Sequence, residues 1–140
     1  MNDLTRFLDA QAAAYPQALA EIQAGRKRSH WMWFIFPQIQ GLGFSSTSKH
    51  YAINDLAEAT DYARHPVLGK RLVEISTALL GLAGSDANRI FGDPDDLKLK
   101  SSMTLFAAVP EADPVFEAVL AKFFRGSCDA KTLQLLGKQA

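Results

Sequence analysis

One cysteine, Cys128, in 140 residues excludes an internal disulfide and a cysteine-rich zinc site. Histidine is also scarce. His30, His50 and His65 show no ligand-pair spacing such as H-x-x-x-H, so no metal centre or cofactor is expected. The longest strongly apolar run is WMWFIF, far short of the ~20 residues a membrane-spanning helix needs. An excess of one charge is missing too. Fifteen Lys and Arg balance fifteen Asp and Glu, so no global field draws the chain to polynucleotides or anionic lipid. Nucleic acid is thereby left as the disfavoured partner and a membrane as excluded. MNDLTRFLDAQ carries charges where an export signal needs an apolar core, and a cytoplasmic location is expected. Nothing recurs at a fixed period, which removes repeat architectures.

What is present suits a globular chain. Hydrophobic content is 48% against 21% charged, and the length fits one domain over residues 1–140. Leu4, Phe7 and Leu8 share a helical face, with a break expected near Tyr15-Pro16. Between Trp31 and Phe36 every residue is large and apolar, so alternation cannot separate a doubly buried strand from a buried helical turn. GLGFSSTSKHYA reads as loop. Helical spacing returns from Asn54. A further helix follows Pro66, with Val67, Leu68, Leu72, Ile75 and Leu79 as its stripe. ANRIFGDPDD reads as a connector, and DDLKLKSSMTLFAAV as a helix with Leu97, Met103, Phe106 and Ala107 inward. DPVFEAVLAKFFRG has a cap at Asp113, a first-turn proline and a stop at Gly126. DAKTLQLLGK supplies a last short helix. The sum is a mainly α single compact domain of about six to seven helices with one or two short extended segments.

Candidate site residues cluster in four places. In HWMWFIFPQ, Trp33, Phe34 and Phe36 are expected in the core, while His30, Trp31 and Gln38 form its polar edge. The hydroxyl-rich loop containing Ser45 has donors for an anion, without the spacing of a P-loop or a dinucleotide fingerprint. Glu58 and Tyr62, one helical turn apart, are a candidate acid-base pair. On the lysine helix, Lys98 with Ser101 and Ser102 suits a phosphate or carboxylate. Each has a plainer reading as core packing, helix capping or a surface ion pair.

HWMWFIFPQIQGLGFS, EATDYARHPVLGKRL, FGDPDDLKLKSSMTLF and DAKTLQLLG, in this order, resemble the bacterial family known as domain of unknown function 1810. The resemblance runs from about Phe7 to Leu136 and implies a mainly helical protein without an assigned reaction. Some members carry the label calpastatin, which does not suit a globular composition, because calpain inhibitors are disordered. The order of a tyrosine/glutamate helix, a proline-opened helix, a lysine helix and a D-x-x-T is also similar to NADAR domains, which are associated with ADP-ribose derivatives. That similarity implies a pocket bordered by Trp31, Glu58, Tyr62, Lys98, Ser101 and Ser102.

The resulting expectation is a pocket for a nucleotide-like or ADP-ribose-like phosphorylated small molecule, with hydrolysis of an N-glycosidic bond as its candidate reaction. Trp31 would stack on a ring, Lys98 and the serines would hold anionic oxygens, and Glu58 would act as base. This requires Glu58 and Lys98 to share one cleft. The alternatives are an interaction or nucleic-acid module using Arg26, Lys27 and Arg28 with exposed aromatics, and a purely structural or oligomeric protein.

Overall fold

Leu4, Phe7, Gln11, Tyr15, Ala18 and Ile22 recur every three or four residues, and all are buried where helix α1 (Thr5–Gln23) meets the core. The structure, a computed structural model, describes residues 3–139. α1 runs unbroken through Pro16, contrary to the break expected there. The proline is exposed, and burial of Tyr15, Ala18 and Ile22 around it outweighs the lost backbone hydrogen bond.

The aromatic run resolves as one turn of helix, α2 (Met32–Ile35). Helical phase carries Trp31, Met32, Ile35 and Phe36 inward and leaves Trp33 and Phe34 half-buried. The expected assignment of the two tryptophans is therefore reversed. Trp31 is 1% exposed and packs in a ring cluster with Phe36 and Phe91, whereas Trp33 faces outward.

The remaining helices are α3 (Ser46–His50), α4 (Leu56–Arg64), α5 (Leu68–Leu80), α6 (Ala87–Phe91), α7 (Asp95–Ala107), α8 (Pro114–Phe124) and α9 (Ala130–Gln139). Among the described residues there are thus nine helices rather than six to seven. The surplus comes from α2, α3 and α6, of four, five and five residues, too short to show a period. Local capping starts two of them: Ser45 Oγ accepts from Ser48 N, and Asp86 Oδ1 from Arg89 N. No strand occurs among the described residues. The extended content is a single parallel bridge between Ile39 and Ile53.

These helices pack into one mainly α domain. α7 lies at its centre, against α4, α6, α8 and α9, and α5 packs on α1, α4 and α8. Leu99, Met103, Leu105 and Phe106 of α7 are buried. Leu97, expected inward, is 58% exposed, and Val67 is exposed at the start of the α5 stripe. Around α8 the sequence signals hold. Asp113 Oδ1 accepts from Val115 N at 2.8 Å, and the helix ends where Arg125 and Gly126 take positive φ. Asp129 Oδ2 accepts from both N and Oγ1 of Thr132, while Asp129 N donates to Thr104 Oγ1. The D-x-x-T sequence thus caps α9 and ties it to α7.

Candidate functional site

The bridge at Ile39 and Ile53 closes the neck of a loop. Gln40 N donates to the Ile53 carbonyl and Ile53 N to the Gln38 carbonyl, both at 2.8 Å. Between these points the chain makes a compact excursion that contains α3. At Gly43 a Cβ would lie 2.5 Å from Ser48 Oγ, so only glycine fits that turn. Arg6 and Glu58 clamp the returning side. Arg6 Nη2 donates to the Ala52 carbonyl at 2.9 Å and to Glu58 Oε1 at 3.1 Å, and Glu58 Oε1 also accepts from Asn54 N. With Asp55 capping Glu58 N, Glu58 acts in a variant of the helix capping box.

Between this loop and α7 lies a cleft of about 620 Å³. The loop contributes Gln38, Gln40, Leu42, Phe44, Ser48, Lys49 and Tyr51, and Trp33 joins them from α2. Pro94, Leu97, Lys98 and Ser101 come from the first turns of α7, at spacings that fall on one helical face. Phe44 is 87% exposed, and with Leu97 it makes an apolar lip. The Lys98 ammonium sits 3.7 Å from the Trp33 ring centroid, a close cation–π contact. It also pairs with Asp95 Oδ1 at 3.0 Å, and Lys27 reaches Asp95 Oδ2 at 2.9 Å. Burial raises the Asp95 carboxyl, but hydrogen bonds from Lys27 and Lys98 outweigh it and hold the group below the usual carboxylate range. The ionised triad Lys27–Asp95–Lys98 keeps one surplus positive charge, and Lys49 adds a second nearby.

A shallower depression adjoins the cleft. It is lined by His30, Phe34, Ser46, Thr47 and His50, and shares Trp33 and Tyr51 with its neighbour. Phe34 and Tyr51 are 5.3 Å apart by ring centroid, and His50 and Tyr51 4.6 Å.

The sequence candidates separate on this frame. Gln38, Lys98 and Ser101 line the cleft, and His30 lines the depression. Ser45 caps α3 and so sets the position of Ser48 and Lys49. Besides Ser45, four candidates line neither cavity. Trp31 is core, and its indole N–H donates to buried Glu21 at 2.9 Å. Tyr62 is fully buried against Phe7 and Phe106, its hydroxyl accepts from Gln11, and burial pushes its ionisation upward. Ser102 falls one residue off the cleft-facing stripe, turns into the core and has no hydrogen-bond partner. Glu58 lies behind Ala52 and lines no part of the cleft. The acid-base pairing of Glu58 with Lys98 in one cavity therefore does not form. Sequence reasoning missed Trp33, Lys49 and Tyr51. The helical alternative for the aromatic run identifies the first, whereas the other two arrive by the closure at Ile39 and Ile53, which leaves no local signal.

The basic cluster is also divided. Lys27 is held by Asp95, while Arg26 and Arg28 remain exposed. Among the described residues no group of three or more His, Cys, Asp or Glu could hold a metal ion. No helix among them is long and apolar enough to cross a membrane.

The family described as "Protein of unknown function (DUF1810)" matches residues 1–136. The chain belongs to the DUF1810 family. This DUF1810 chain is also similar to a solved structure, the conserved hypothetical protein Rv1873 from Mycobacterium tuberculosis. The two are 49% identical, the match covers 96% of each chain, and the TM-score is 0.94. No curated protein matches. Neither finding connects the DUF1810 chain to NADAR domains.

Proposed function

We propose that this protein is a cytoplasmic binding protein for a phosphorylated, ring-bearing small molecule, nucleotide-like or ADP-ribose-like, held in the cleft between the 40–53 loop and α7. The observation that carries this reading is the Lys98 ammonium at 3.7 Å over Trp33 on the cleft surface, with Lys49 lining the same cavity. Two ammonium groups suit phosphate oxygens as point charges. Trp33 and Tyr51 supply aromatic surface for a ring, and the amides of Gln38 and Gln40 supply donors and acceptors for its edge. The reading is one of binding. Cleavage of an N-glycosidic bond calls for a carboxylate at the reacting carbon, and the described residues lining the cleft include no Asp or Glu.

The test is a thermal-shift titration with ADP and ADP-ribose, followed by Trp fluorescence. A ligand at 100 times its Kd stabilises the native state by about 2.7 kcal/mol, which raises Tm by several degrees in a domain of this size. Lys98→Ala should abolish most of the shift, and Trp33→Phe should remove the ligand-induced fluorescence change while Trp31 still emits. An absence of shift with both probes, or an undiminished shift in Lys98→Ala, would overturn the proposal.

A further inference from the structure

Two adjoining cavities share Trp33 and Tyr51, and among the described residues only one of them contains lysine. The cleft holds Lys49 and Lys98. Among the described residues the neighbouring depression holds no Lys or Arg, but presents Phe34, His30 and His50 with the hydroxyls of Ser46 and Thr47. A ligand filling both has its anionic part on the lysine side of the shared aromatic wall and a second flat group on the other. We infer that the preferred ligand is a dinucleoside diphosphate: two bases joined through a linker with two negative charges.

The charge count selects the linker. Lys27 and Asp95 neutralise one another, so Lys98 and Lys49 leave two positive charges for the linker. A diphosphate diester carries two negative charges, whereas a polynucleotide needs a longer basic track. The formal net charge of 0 and the absence of further Lys or Arg among the described residues of either lining both oppose a polymer. The depression selects a flat partner. His50 against Tyr51 and Phe34 against Tyr51 form a surface of aromatic faces and edges, on which any base can stack without sequence preference.

This inference rests on the cleft reading above, and the experiment keeps the two apart. Affinities for ADP and for diadenosine diphosphate are compared by isothermal titration, with oligo(dA) as a third probe. Diadenosine diphosphate should bind at least about tenfold more tightly than ADP, because one stacked base contributes about that factor or more. His50 is exposed and outside the cleft lining. His50→Ala should therefore weaken diadenosine diphosphate more than ADP and cut the advantage to a few-fold. Phe34→Leu, which keeps an apolar side chain, should act in the same direction. Equal affinity for ADP and diadenosine diphosphate would overturn the two-base inference and leave the single-nucleotide reading standing. Binding of neither would overturn both. Tighter, steeply salt-dependent binding of oligo(dA) would overturn the small-molecule choice in favour of a polynucleotide.

Discussion

Replacing Glu21 should unseat the loop that leads into the aromatic run. Its carboxylate accepts four hydrogen bonds: from Arg28 N at 2.6 Å, Ser29 N at 3.0 Å, Ser29 Oγ at 2.7 Å and Trp31 Nε1 at 2.9 Å. Burial opposes its ionisation, yet these donors outweigh burial and bring the carboxyl from 4.5 down to about 2. That difference is roughly 3 kcal/mol of folding stability near neutral pH. An independent route gives a similar figure. In Glu21→Ala the buried indole N–H loses its partner at a cost of about 1–3 kcal/mol, and the loop donors, which water can reach, lose a fraction of that each. We therefore expect Glu21→Ala to lower unfolding free energy by about 3–4 kcal/mol in urea titrations followed by Trp fluorescence.

Glu21→Gln gives the sharper comparison because it mimics the protonated acid. The folded state binds the Glu21 proton more weakly than the unfolded chain does. The stabilisation is therefore complete above the unfolded value of about 4.5 and disappears as pH falls through about 2. The gap between wild type and Glu21→Gln should be about 3 kcal/mol at pH 7, and more than half of it should be gone by pH 3. A gap that stays constant from pH 7 to pH 3 would refute the assignment of this stability to the ionised carboxylate.

Other substitutions probe the remaining joints. Gly69→Ala places a Cβ 2.1 Å from the Ala63 carbonyl oxygen at the α4–α5 turn, and should cost about 1–3 kcal/mol or more by thermal melting. Asp113→Ala removes the α8 cap and should cost about 1 kcal/mol, whereas Asp113→Asn should restore most of it. Trp31→Phe should destabilise by more than about 1 kcal/mol through its buried N–H contact with Glu21, and Trp33→Phe by much less; equal losses would contradict their opposite orientations. Asp95→Asn releases Lys27 and Lys98 by removing the negative charge they share beside the cleft. It should tighten ADP binding and steepen its salt dependence in titrations at two ionic strengths.

Several elements were readable from spacing alone, because their physics is local. The cap, proline and glycine around α8 act within one turn, and the α5 stripe from Leu68 to Leu79 repeats often enough to define a face. Family membership was readable too, from four ordered motifs that residues 1–136 match. The aromatic run was not, since a uniformly apolar segment has the same pattern as strand or helix. Only packing against Phe91 and the Glu21 carboxylate decides that Trp31 points in and Trp33 out. Lys98 and Ser101 were recoverable as neighbours on one helix, but Glu58 could not be excluded from their company by sequence. Its neighbours in space, Arg6 and the Ala52 carbonyl, are set by how α1 meets the closed loop. The sequence by itself thus determined the six longer helices, the family and the absence of a charged field. The tertiary structure alone decided which side chains share a cleft, because that depends on two backbone hydrogen bonds at Ile53 that bring distant segments together.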